Sequence, residues 1–158
     1  MLSRQLVDKL DTSRVFFERS TACLTEADSA FRPNEEMFTV AEHVASVALT
    51  VDWFIEGAFG ENGFDLDFEK HLAEIKEVSS LTEARAMLDA AFARAEEVGG
   101  ETSDEELSEL LPESPIMAGA PRLAVFSAIA DHNAHHRGAL TVYARLLGKT
   151  PSMPYSEC

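Results

Sequence analysis

The chain is most constrained by a periodicity. Apolar residues recur every three or four positions through four long stretches, and no segment alternates apolar with polar residues between turn signals. A helix with an apolar stripe has to bury it, and where no strands are available other helices must do so. Leu2, Leu6, Leu10, Phe16, Phe17 and Leu24 mark a first helix over residues 2–24. After "RPNEEMF", Thr39 and Glu42 have the spacing of a capping box, whose hydroxyl and carboxylate each satisfy a free backbone N–H. A second helix therefore starts near Val40 and runs to about Phe59.

"GENGFDLD" breaks that helix, because its two glycines and Asn62 favour turn geometry. "FEKHLAEIKEVSS" makes a short helix, and Ser80 with Glu83 form a second capping box before "LTEARAMLDAAFARAEEV". Gly99 and Gly100 are expected to end this third long helix in the left-handed conformation. Residues 103–111 form one or two acidic helical turns, and the prolines of "PESPIMAGAP" make a loop. The longest helical pattern runs from Arg122 to Leu147 and is closed by Gly148 and Pro151. The expected fold is all-α: one four-helix bundle domain over residues 1–158, with a long crossover and one or two short extra helices.

Twenty-eight acidic against 13 basic residues give a formal charge of −15, which repels nucleic-acid phosphates and anionic lipid. The stretch "VAEHVASVALTVDWFIEGAF" is interrupted by Glu42, His43, Asp52 and Glu56, so it reads as a core helix and not a membrane span. The N-terminus lacks the apolar run and cleavage site of a signal peptide. Cys23 and Cys158 have no motif spacing and are expected as free thiols, which favours a cytoplasmic location.

Within "DHNAHHRGAL" stand three of the five histidines. On a helix, His132 and His136 are one turn apart on the same face, so their imidazoles can converge on one ion. His135 is rotated from His136 by roughly 100° and points elsewhere. A lone histidine on an apolar face is ordinarily a hydrogen-bonded core residue, whereas a pair at this spacing has an even claim to metal. A third donor has to come from another helix. His43 on the second helix is the favoured candidate, while His71, in the solvated pattern "EKHLAE", is assigned to the surface.

"DHNAHHRGALTVYARLLGKTPSMPY", together with "FTVAEHVASVALTVDWFIEGAFGENGF", resembles the DinB/YfiT-like family of metal-dependent helical bundles over nearly the whole chain. The resemblance implies a four-helix bundle with a long crossover, often a homodimer. It also implies a divalent ion, zinc or nickel, held by one histidine of the second helix and two of the last. Some members are thiol S-transferases using mycothiol or bacillithiol, one branch is a thiol-dependent maleylpyruvate isomerase, and many have no assigned reaction. The ligands on the last helix fall on His132 and His136. On the second helix the family position, counted from Phe38, falls on Ser46. His43 lies three residues earlier, about 4.5 Å along the axis. Three readings stay open: His43 substitutes, two histidines bind the ion weakly with water, or the site is degenerate and the fold serves as a non-enzymatic, dimeric, stress-related binding protein.

Arg137 is a candidate for holding a thiol or carboxylate substrate, against the commoner role of pairing with an acid on a neighbouring helix. Trp53, Phe54 and Phe59 are expected first in the core, and otherwise as the wall of an apolar pocket or a dimer seal. Neither cysteine has a neighbouring base and no G-x-S-x-G turn exists, so nucleophilic catalysis by Ser or Cys is unsupported. The functional expectation is a divalent-metal-binding protein acting on a small molecule, with a low-molecular-weight thiol as cosubstrate and neither nucleic acid nor membrane as partner.

Overall fold

The computed structural model describes residues 1–156. Its helices are α1 (Leu2–Thr21), α2 (Val40–Phe59), α3 (Phe68–Glu77), α4 (Leu81–Glu101), α5 (Asp104–Ser108) and α6 (Ala124–Leu146), with a 3-10 turn at Glu26–Asp28. Among the described residues there is no strand, only an isolated antiparallel bridge between Leu110 and Pro121. The fold is an all-helical bundle of four long helices. Both α1 and α2 pack against α4 and α6, so α1 and α2 occupy opposite corners, joined by the crossover through residues 22–39. Phe17, Phe92, Phe126, Leu10 and Leu88 fill the centre with almost no exposure. Each such side chain contributes about 1.5–3 kcal/mol by leaving water. Among the described residues no helix is long and apolar enough to cross a membrane.

Local chemistry explains most boundaries. At α2 the Thr39 hydroxyl accepts from Glu42 N at 3.1 Å and the Glu42 carboxylate accepts from Thr39 N at 2.9 Å, the expected reciprocal cap. Ser103 and Glu106 cap α5 in the same way, and the acidic side chains around Leu107 face solvent. The cap of α4 is half local. Ser80 accepts from Glu83 N, but Leu81 N donates to Ser29 Oγ at 2.9 Å and Thr82 N to Glu26 Oε2 at 2.7 Å. The crossover thus takes up donors at the start of α4.

Two helix ends differ from expectation. The first helix stops at Thr21 and not Leu24: Arg85 of α4 donates to Thr21 O at 2.8 Å and to Leu24 O at 3.4 Å, pulling the chain into a turn. The third long helix does not end at Gly99 and Gly100, which are helical and followed by Glu101. Gly99 is there for packing, since a Cβ would lie 3.1 Å from the Phe126 ring. The last helix ends as expected at a left-handed Gly148, φ +75°, with Lys149 N donating to Ala144 O. Lys149 then reaches Asp28 of the 3-10 turn as an ion pair. Cys23 is a half-buried free thiol, whereas Cys158 lies outside the described residues.

Candidate functional site

The neighbouring pair α2 and α6 brings His43, Ser46, His132 and His136 together. His136 is nearly buried, and its two ring nitrogens serve different neighbours. Nδ1 lies 2.8 Å from Nδ1 of His43. Nε2 lies 3.2 Å from Nε2 of His132 and 3.3 Å from Ser46 Oγ. On the far side His43 is held edge-on by Phe38 and Tyr143, with ring centroids at 5.6 and 4.9 Å. The Tyr143 hydroxyl donates to Phe38 O at 2.8 Å, which fixes that wall to the residue preceding the α2 cap.

Burial sets the electrostatics. Desolvation, reinforced by neighbouring imidazoles, pushes His136 down to about 3. His132 and His43 fall to about 4 for the same first reason, with the charge on His135 adding to it. At neutral pH all three rings are therefore neutral, each with one N–H and one lone pair. Because His136 uses opposite nitrogens, Nε2 of His132, Nε2 of His136 and Ser46 Oγ share one side, and His43 stands on the other. Among the described residues no three imidazole, thiol or carboxylate groups are disposed to hold a metal ion. The donor set on the shared side is two imidazoles and a hydroxyl.

That set can be tested against an ion. Two nitrogens each about 2.1 Å from a tetrahedral centre stand roughly 3.4 Å apart. The 3.2 Å between the Nε2 atoms of His132 and His136 is close to this. The 2.8 Å between His43 and His136 is a hydrogen-bond length, and it involves the nitrogen of His136 that faces away from His132. The pair on α6 fits a metal, whereas His43 fits a partner that fixes the ring of His136.

Beside His132 opens a cleft of about 550 Å³ between α2, α3 and α6. Trp53 and Phe54 form its wall and do not belong to the sealed core, and His71 and His135 line it too. His71, assigned to the surface from its pattern, sits here half-buried, 3.9 Å from both Asp65 and Glu74. Phe59 is elsewhere, against Phe126. Gly57 makes the wall possible: any Cβ there would overlap the Phe64 ring, which packs 5.0 Å from Trp53.

Arg137 does not line this cleft. One residue beyond His136 it is rotated by roughly 100°, and its guanidinium lies over Phe16 and Tyr155. Nor does it pair with an acid among the described residues, the role weighed against substrate binding. Asn133 also faces α1, donating to Ser13. The contributions of Ser46 as a donor, and of Phe68 and Leu72 as cleft walls, went unassigned in the sequence; only the apolar positions in "FEKHLAEI" signal the latter.

With this geometry in view, a sequence model of the DinB family matches residues 5–157. The chain belongs to the DinB family. No curated protein matches it. Family membership agrees with the helical bundle and with the resemblance carried by "DHNAHHRGAL".

Proposed function

We propose that this DinB-family chain binds one divalent ion of the zinc or nickel class through Nε2 of His132 and Nε2 of His136, and acts on a small molecule there. The observation that carries the reading is the 3.2 Å separation of those two nitrogens with the Ser46 hydroxyl beside them. When bound, the ion would supply Lewis acidity, polarising a substrate or lowering the pKa of a thiol or water.

The protein's own part is to present lone pairs and keep them in place. With Nε2 of His136 as the donor atom, its proton resides on Nδ1 and is donated to Nδ1 of His43, which carries its own proton on Nε2. Phe38 and Tyr143 hold His43 so that this bond persists. Such an outer partner fixes tautomer and ring orientation, and its loss typically costs 10–100-fold in metal affinity. His43, expected from sequence as a ligand, is thus proposed as a positioning residue. Ser46 adds a weak neutral oxygen donor, so the ion is held less tightly than by three imidazoles. A thiol-dependent transfer, in a cytoplasmic homodimer, is the reaction class that the family resemblance supports.

Metal analysis of protein purified without chelators tests this. About one ion per chain is expected, falling to near zero in His132→Ala and His136→Ala and persisting at weakened affinity in His43→Ala. Equal occupancy in the wild type and His136→Ala would end the reading. A second reading, a non-enzymatic binding protein, is favoured by Ser46 and by the mutual bonding of the rings. Thermal melts separate the two. Metal at a hundredfold excess over Kd contributes about 2.7 kcal/mol, or roughly 5–10 °C for a domain of this size. No shift at millimolar zinc or nickel favours the second.

A further inference from the structure

The cleft beside His132 has a chemical character of its own, separate from the buried faces of the imidazoles. Its walls are Trp53 and Phe54 from α2 and Phe68 and Leu72 from α3, and its α6 side carries Asp131 and His132. Phe68 is 57% exposed and Leu72 42%, although a Phe and a Leu on a helix normally seek cover. Trp53 donates its indole N–H to Asp65 O at 2.7 Å, so its polar atom is occupied and its ring is held as a fixed face. Phe54 and Phe64 pack against that ring with centroids 5.0 Å away.

Charge decides what these walls suit. Among the described residues no lysine or arginine lines the cleft, and Asp131 is the one carboxylate that does. No cation pairs with Asp131 among the described residues. Asp131 is exposed, so it marks the mouth, while His136 does not line the cleft and lies behind His132. The adjoining depression, which shares Trp53 and His71, is bordered by Glu56 and Glu74, and by Asp52 and Asp65, which pair with Arg94 and Lys70. The chain as a whole carries −15. Aromatic faces attract cations through their quadrupole, and a nearby carboxylate and a negative field act in the same sense. The other ionisable groups of the walls are the imidazoles of His71, His132 and His135, so among the described residues the Asp131 carboxylate is the one permanent charge of the lining.

We infer that the cleft between α2, α3 and α6 binds a small organic cation, an ammonium attached to an apolar body, with Asp131 facing the charge and Trp53, Phe54 and Phe68 covering the body. This goes beyond the metal reading, which concerns the buried nitrogens of His132 and His136. It also means that a carboxylate-bearing thiol would not occupy this cleft.

Three probes of similar size test it: phenyltrimethylammonium, its uncharged carbon isostere tert-butylbenzene, and benzoate. The quaternary ammonium has no lone pair for a metal, and the titrations use chelator-treated protein, so the outcome is independent of metal content. Trp53 is the only tryptophan of the chain, and its fluorescence, with calorimetry, reports occupancy. The cation is expected to bind at least tenfold more tightly than the isostere, and benzoate not at all. Asp131→Asn, an exposed change that leaves the core untouched, should cut the preference to about threefold or less. Trp53→Leu, followed by calorimetry, should weaken the cation about tenfold. Binding of benzoate, equal affinity for the isostere, absence of binding by every probe, or a preference unmoved in Asp131→Asn would each overturn the inference. A protein that holds zinc yet shows no cation preference would leave the metal reading standing; the reverse pattern would leave this one.

Discussion

Helix α6 carries buried polar groups on two sides, and they meet different fates. Toward α1, Asn133 donates to Ser13 O and Oγ at 2.9 and 2.6 Å, and the Arg137 guanidinium lies over Phe16 and Tyr155 at 5.6 and 5.9 Å. Toward α2, His136 and His132 aim nitrogens at each other beside an open cleft. Both sides have the same four-residue spacing, 133 with 137 and 132 with 136. What separates them is direction. The amide nitrogen of Asn133 is consumed by a fixed protein partner and its Oδ1 is buried without one among the described residues, whereas the imidazoles keep exchangeable lone pairs facing a common space. Burial of a polar residue on a bundle helix therefore does not mark a site; the heading of its unused lone pairs does.

Acid should break this contrast most strongly. His43 and His132 are held at about 4 and His136 at about 3, against an ordinary 6.5. Between those values the unfolded chain takes up protons that the folded chain refuses, so stability is complete above pH 6.5. It falls as the pH drops toward about 4 for His43 and His132 and about 3 for His136, then levels. Each unit is worth about 1.4 kcal/mol, so the loss reaches several kcal/mol, a large part of a small domain's stability. Urea melts between pH 7.5 and 4 should show it, and replacing all three histidines by glutamine should flatten the profile.

Next in size is the effect on metal. His136→Ala should weaken zinc binding more than a hundredfold, about 2.7 kcal/mol, while Asn133→Ala leaves it unchanged in competition titrations with a chromophoric chelator. Asn133→Ala should instead cost about 1 kcal/mol in a denaturant melt. The value is modest because Ser13 lies inside α1 and its carbonyl keeps a helical donor, and because Asn133 Oδ1 has no partner among the described residues to lose. Smallest is Arg137→Ala, expected to cost about 0.5–1 kcal/mol through the lost cation–ring contacts. Loss of metal in Arg137→Ala would join the two sides that the coordinates separate.

Much of the fold was legible in the chain because its signals are local. Thr39 and Glu42 specify the start of α2 from residues three apart, and Gly148 ends α6 by its own backbone freedom. Where the deciding partner is distant, sequence reading faltered. Gly99 looks like a stop signal until Phe126 is seen beside it, and the end of α1 depends on Arg85. The site divides in the same way. The pairing of His132 with His136 follows from helical geometry alone. That His43 meets the opposite nitrogen of His136, and that His71 turns into the cleft, depends on how α2 and α3 are set against α6.

The contact that finishes α1 has a consequence for how the protein is made. Arg85 stands 64 residues downstream of the Thr21 carbonyl it caps. A ribosome adding about 5–20 residues each second needs roughly 3–13 seconds to cover that interval. Throughout that time the nascent helix has a frayed end and an uncovered apolar stripe, the kind of surface that chaperones recognise; the arrival of α4 settles the end, and the stripe is fully covered only when α6 follows.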